Sequence, residues 1–265
     1  MIYFKFLRDF FPCLLEDLSY NSALHDVRGI VMSKRPVIPQ RLRKLPPPRG
    51  FENPFAMGIR SPHLFATETL CGDWDGDLLL LAQDFAPAPK VQAALATHGA
   101  KAAWRHNDGD GPYNIGLQTN SNLCDLLTMI GRPVELKGEA SKECGVLYGN
   151  ACFFLKDRNR KLDKGVSASK PVFEFVLSKM PRLKVIACLG ECAFEGVMGW
   201  LGLSNSWRTQ IDIRKPVRHN NLQIFALAHP GQLGINNRLL SATNSERIAA
   251  IRADWRAMGR ALRAS

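Results

Sequence analysis

Asp77-Leu78-Leu79-Leu80-Leu81-Ala82-Gln83-Asp84 is the stretch that decides the fold. Its apolar residues follow one another without a polar face. That pattern suits a strand covered on both sides rather than one half open to water. Three more runs share the pattern, at 146–155, 184–190 and 222–228. Helix-like segments at 90–98, 121–130, 170–178 and 192–201 separate them. Strand–helix–strand alternation predicts an α/β fold with a parallel sheet between helices, a three-layer α/β/α arrangement. In such sheets ligands bind beyond the carboxyl ends of the strands. Asp84, Gly190 and His229 all fall at such ends.

The chain has 265 residues, 46% of them hydrophobic, enough for one sizeable core with extensions. Lys and Arg number 35 against 24 acidic residues, a formal charge of +11 that favours a polyanionic partner. No apolar stretch approaches the roughly 20 residues of a membrane helix. The greasy N-terminus is interrupted by Lys5, Arg8 and Asp9, and no small-residue cleavage site follows. We therefore expect no signal peptide, no membrane partner and a cytoplasmic monomer. Met32 offers an alternative start, which would leave 1–31 outside the folded protein. The seven cysteines are odd in number and scattered, which argues against a disulfide framework.

Residues 33–50 hold six positive charges, no acids and five prolines. Such a segment reads as an N-terminal basic arm, with the folded domain expected over 51–265. The end of the chain reads as an amphipathic helix. Thr243 and Glu246 fit a capping box. Ile248, Ile251, Trp255, Met258 and Leu262 form an apolar stripe, and Arg252, Arg256, Arg260 and Arg263 form a basic one. The basic stripe suits either a solvated face or contact with a polyanion. Asp73, Asp75 and Asp77 look superficially like a calcium loop. Their glycine is misplaced and Asp77 runs into a strand, so they read as a turn.

Two peptides on opposite sides of the chain then stand out: Ala82-Gln83-Asp84-Phe85-Ala86 and His229-Pro230-Gly231-Gln232-Leu233. They resemble the two signature motifs of the uracil-DNA glycosylase superfamily, G-Q-D-P-Y and H-P-S-P-L. The resemblance extends over about residues 70–240. It includes Asn150, inside an otherwise apolar strand, and Leu189-Gly190-Glu191-Cys192-Ala193 after the third strand. It implies a central four-stranded parallel sheet and hydrolysis of the bond between uracil and deoxyribose in DNA. The product would be an abasic site, as in base excision repair.

The resemblance assigns roles residue by residue. Asp84 would stabilise the sugar cation and orient water. His229 would hydrogen-bond the departing base, and Asn150 would read uracil through both ends of its amide. Gln83 would join the base pocket, and Phe85 and Tyr113 compete to stack on the flipped base. Leu233 would fill the gap left in the duplex, with Gly231 and Gln232 beside the DNA. Lys156, Arg158 and Lys164, in a cation-rich segment with Gly165, Ser167 and Ser169, suit phosphate contacts.

No metal or other cofactor is expected. The C-x-x-C that opens the iron–sulfur site of some superfamily members is missing. Strand cleavage is not expected either, because no lysine lies in the matched motifs. Departures are Ala82 for Gly, Phe85-Ala86-Pro87 for Pro-Tyr-His and Gly231 for Ser. The missing tyrosine is the one that excludes thymine. The other readings of these residues are excision of another deaminated base such as hypoxanthine, a non-catalytic DNA-binding relative, or a hydrolase using Asp84 and His229. The last lacks a G-x-S-x-G nucleophile elbow.

Overall fold

Each of the four apolar runs carries a strand of the central sheet. A computed structural model describes residues 36, 38–55, 71–84, 87–90, 92–93, 118–133, 145–158 and 161–264. In chain order its elements are α1 (Gln40–Arg43), β1 (Phe51–Glu52), β2 (Cys71–Gly72), β3 (Leu78–Ala82), α2 (Gln118–Met129), β4 (Val146–Asn150), β5 (Leu155–Lys156), α3 (Asp163–Ala168) and α4 (Lys170–Lys179). There follow β6 (Val185–Leu189), α5 (Glu191–Leu201), α6 (Trp207–Ile213), β7 (Val217–His219), β8 (Leu222–Leu227), α7 (Gln232–Arg238) and α8 (Asn244–Ala264).

Strands β4, β3, β6 and β8 lie parallel and adjacent in that order, with Leu79 between Leu147 and Ile186. Every residue of β3 and β6 is buried, so both faces of the central sheet are covered. Helix α5 packs on β6 and β8, and α8 packs on the same two strands and on α2. The α/β class is as expected.

The sheet itself needs correction. It has six strands and is mixed, not four and purely parallel. Strand β2 pairs antiparallel with β4, and β7 pairs antiparallel with β8 through a turn at Asn220-Asn221. Asn220 takes φ 52°, a left-handed conformation that asparagine tolerates. A second sheet, β1 with β5, is antiparallel. It arises because the run at 146–155 does not stay in one strand. Beyond Asn150, Ala151 and Cys152 still donate to the carbonyls of Ala82 and Gln83, and the chain then leaves the main sheet.

The basic arm is also partly folded. Helix α1 buries Leu42, and Asn53 Nδ2 donates to the carbonyls of Arg43 and Leu45. The compact unit runs over Arg35–Ser265, so its boundary lies before residue 51. Arg41, Arg43, Lys44 and Arg49 stay exposed, while Leu42 is buried and Ile38 and Leu45 pack against the core. Of the helix expected at 90–98, residues 90, 92 and 93 are described, all helical; the rest lies outside the described residues.

Thr243 and Glu246 form the reciprocal capping box at the start of α8. Ile251, Trp255, Met258 and Leu262 are buried on its inner face. Ile248 is not: it is 39% exposed, one turn too early to reach the core. Asp254 takes an inner position and binds Arg238, the last residue of α7. Arg238 Nε and Nη2 donate to the two carboxylate oxygens at 2.7 and 3.1 Å. Arg238 also reaches Asp212 and the Ile211 carbonyl, so one side chain ties together α6, α7 and α8. Asp73 Oδ1 accepts from the Asp75 amide, as a turn requires, and Asp77 pairs with Arg132. No helix among the described residues is long and apolar enough to cross a membrane.

Candidate active site

The connections out of β3 and β6 run in opposite directions. From β3 the chain goes to β4 on one side; from β6 it goes to β8 on the other. A crevice at such a switch point, beyond the carboxyl ends, is where open parallel sheets place ligands. Gln83 and Asp84 follow β3 here, Gly190 follows β6, Asn150 ends β4 and His229 follows β8. Topology alone, with no appeal to motif, therefore gathers these residues at one edge.

Gly190 makes the crevice narrow. Its φ is 99°, and a Cβ there would lie 2.7 Å from Gln83 Nε2. The Gln83 side chain thus lies against the β6 turn. The Gly190 amide donates to the Leu227 carbonyl at 2.8 Å, which fixes that turn against β8.

Asp84 meets Lys156. The ammonium Nζ is 2.5 Å from carboxylate Oδ2, and the side chains are 14% and 19% exposed respectively. The phosphate contact expected of Lys156 is therefore replaced by an ion pair. Strand β5 carries it there, in the second sheet. Arg158 and Lys164 remain exposed, Lys164 on α3 rather than on a loop. The small residues of that segment serve packing. A Cβ on Gly165 would lie 2.4 Å from Cys152 Sγ, and Ser169 Oγ donates to the Gly165 carbonyl while accepting from the Phe153 amide.

Asn150 lies in register with Ala82, two residues before Asp84. Both amide atoms, Oδ1 and Nδ2, are shut off from solvent and neither has a hydrogen-bond partner. Each unsatisfied buried group costs about 1–3 kcal/mol. An amide left open at both ends is a group whose partner is not part of the fold.

His229 has a defined tautomer. Its Nδ1 accepts from the Gly231 amide at 3.0 Å, which leaves the proton of the neutral ring on Nε2. Burial lowers its pKa below the ordinary 6.5, opposed in part by the negative charge of Asp84. The Pro-Gly turn is itself held, with Asn122 Nδ2 donating to the Pro230 carbonyl at 2.8 Å. An NMR titration is expected to place the His229 midpoint below 6.5, with the Nε2–H tautomer above it. The fold favours the neutral ring. Its contribution to stability is thus whole above 6.5 and lost as pH falls from there toward the folded midpoint.

Helix α7 follows directly, and Leu233 in its first turn is 79% exposed. Gln232 is also exposed, and Gly231 is buried where a Cβ would meet Thr119 Oγ1 at 2.7 Å. Leu233 thus stands out from a helix whose Ile235 is in the core. Cys152 and Cys192 lie near Asp84. Burial above all, with the Asp84 charge adding to it, pushes both thiols up to about 12, so neither is a thiolate nucleophile. No cluster of three or more His, Cys, Asp or Glu suited to a metal occurs among the described residues. Phe85 and Tyr113 lie outside the described residues.

Sequence reasoning assigned Lys156 to phosphate contact and missed its ion pair with Asp84. The two are 72 positions apart, and only the return of β5 brings them together. Sequence reasoning also missed Arg238 and Asp254, which hold α7. An acid on the buried stripe of an amphipathic helix was the available signal. The carboxyl ends of the parallel strands carry a paired carboxylate, a neutral imidazole donor and an unpartnered amide, with an exposed leucine four residues beyond the imidazole. No protein-family model matches the chain, and no curated protein sequence matches it significantly.

Proposed function

We propose that this protein is a DNA glycosylase that excises uracil. The observation that carries the reading is the buried, unpartnered amide of Asn150 at the carboxyl end of β4, within two register positions of a carboxylate. Uracil presents a donor at N3 and an acceptor at O4. One face of a fixed asparagine amide satisfies both, whereas cytosine presents the reverse. His229 supplies a neutral Nε2–H donor for O2, where negative charge grows as the base departs. Asp84 stabilises the positive charge growing on the sugar and orients the attacking water. Leu233 enters the stack in place of the extruded nucleotide. No step requires a metal or cofactor.

The test is single-turnover cleavage of matched oligonucleotides bearing uracil, hypoxanthine, xanthine or cytosine, followed by alkali. Uracil is the expected substrate; release of hypoxanthine or xanthine alone would move the reading to those bases. Asn150→Asp exchanges the fixed amide donor for a carboxyl group. It is expected to lose about 10- to 100-fold of uracil excision, the worth of one or two misplaced hydrogen bonds at about 1–3 kcal/mol in all. Unchanged uracil excision would reduce Asn150 to a structural residue.

DNA engagement rests on the +11 charge and on the exposed cations Arg158 and Lys164 beside the crevice. Binding should weaken steeply with salt. Removing either side chain should make the log–log slope shallower by about 1. Affinity that stays flat from low to moderate salt would overturn electrostatic binding.

A further inference from the structure

The Asp84–Lys156 pair has a consequence beyond base release. Lys156 is the only lysine among the described residues that the structure pairs with a residue of the crevice, and it is largely shielded from solvent. If Asp84 faces the sugar carbon C1′, as the glycosylase reading requires, the amine that touches Asp84 faces the same carbon. After base release that carbon belongs to a hemiacetal in equilibrium with an open-chain aldehyde. We propose that Lys156 forms an imine with the abasic product and that the protein is an abasic-site lyase as well as a glycosylase.

The chemistry balances without an added reagent. The Lys156 ammonium first gives up a proton, for which the Asp84 carboxylate is the adjoining acceptor. The amine lone pair then adds to C1′ and the carbonyl electrons move to oxygen, giving a carbinolamine. Asp84 returns that proton to the departing hydroxyl, which leaves as water and gives the protonated C1′=N imine with the carboxylate restored. Removal of a C2′ proton, again within reach of Asp84, drives electrons into a C2′=C3′ bond and expels the 3′-phosphate. Water then hydrolyses the imine, which frees Lys156 and an unsaturated aldehyde on the cleaved strand. An arginine at the same place would keep the ion pair but could not form the imine.

The experiment uses the full chain and a duplex oligonucleotide with a pre-formed abasic site, so it does not depend on uracil release. Borohydride added during incubation should trap a covalent protein–DNA adduct. Digestion and mass spectrometry should place it on Lys156, and without borohydride the strand should be nicked. Lys156→Arg, checked for folding by circular dichroism, should bind the same oligonucleotide and lose both adduct and nick. Absence of adduct from wild-type protein bound to abasic DNA overturns the proposal, as does an adduct that persists in Lys156→Arg or maps elsewhere. Uracil release without any adduct would sink the lyase and leave the glycosylase standing. Failure both to release uracil and to bind abasic DNA would sink the two together.

Discussion

Asp84→Asn is expected to lower uracil excision by about 10²- to 10⁴-fold while DNA binding persists, the range for a positioned acid–base group. The substitution is nearly isosteric. It keeps an oxygen facing Lys156 Nζ, so the ion pair becomes a hydrogen bond from the ammonium to a neutral amide oxygen and the site should keep its shape. What it removes is the negative charge. In the proposed reaction that charge acts only as the sugar becomes cationic, so the loss should fall on the chemical step rather than on binding. Lys156 sharpens the test. Its ammonium balances the Asp84 charge and stays beside it in both the parent protein and the variant, so the two differ at the carboxylate alone. Single-turnover rates, with binding measured separately on the same uracil duplex, give the answer. Near-normal excision by Asp84→Asn would leave the carboxylate as nothing more than the partner of Lys156.

The central sheet was legible in the sequence because its strands are buried on both faces. Nothing but apolar residues fits such positions, and runs such as 78–82 and 185–189 announce themselves. The edges were not legible. Strand β7 is short and partly polar, and its only local sign is the Asn220-Asn221 turn. The basic arm was misread for a related reason. Prolines and like charges argue against a packed segment, yet buried Leu42, flanked by Ile38 and Leu45 on the core, docks one helical turn. Asp84 and His229 stood out in the sequence because each follows an apolar run, and Asn150 because it interrupts one. Leu233 was singled out by its offset from His229. The pairing of Lys156 with Asp84 was invisible, because it depends on where β5 returns and not on the neighbours of either residue in the chain. Gly190 read equally well as a simple turn. Only its approach to Gln83 shows why a side chain there would not fit.

Asp254→Ala is expected to destabilise the protein by about 3–5 kcal/mol, the cost of leaving a buried charge without its partner. Arg238 is 1% exposed and Asp254 2%, and two hydrogen bonds join them. Neither charge can turn to water when the other is removed. Asp212 remains as a partner of Arg238, but it is 56% exposed and holds one nitrogen only. Urea titration with an unchanged slope would measure the loss, and a change under about 1 kcal/mol would refute the clamp. Replacing both members, Arg238→Met with Asp254→Leu, should recover most of the loss, because the desolvation penalty leaves with the charges. Stability and function should then separate. Arg238 closes α7 at one end; the His229 loop and Leu233 lie at the other. A double variant that regains stability through apolar packing loses the directional bonds that set the helix against α6 and α8. It should therefore fold well yet extrude uracil poorly, with single-stranded uracil DNA, which needs no wedge, less affected than duplex. Equal activity on both substrates would make the clamp a matter of stability alone.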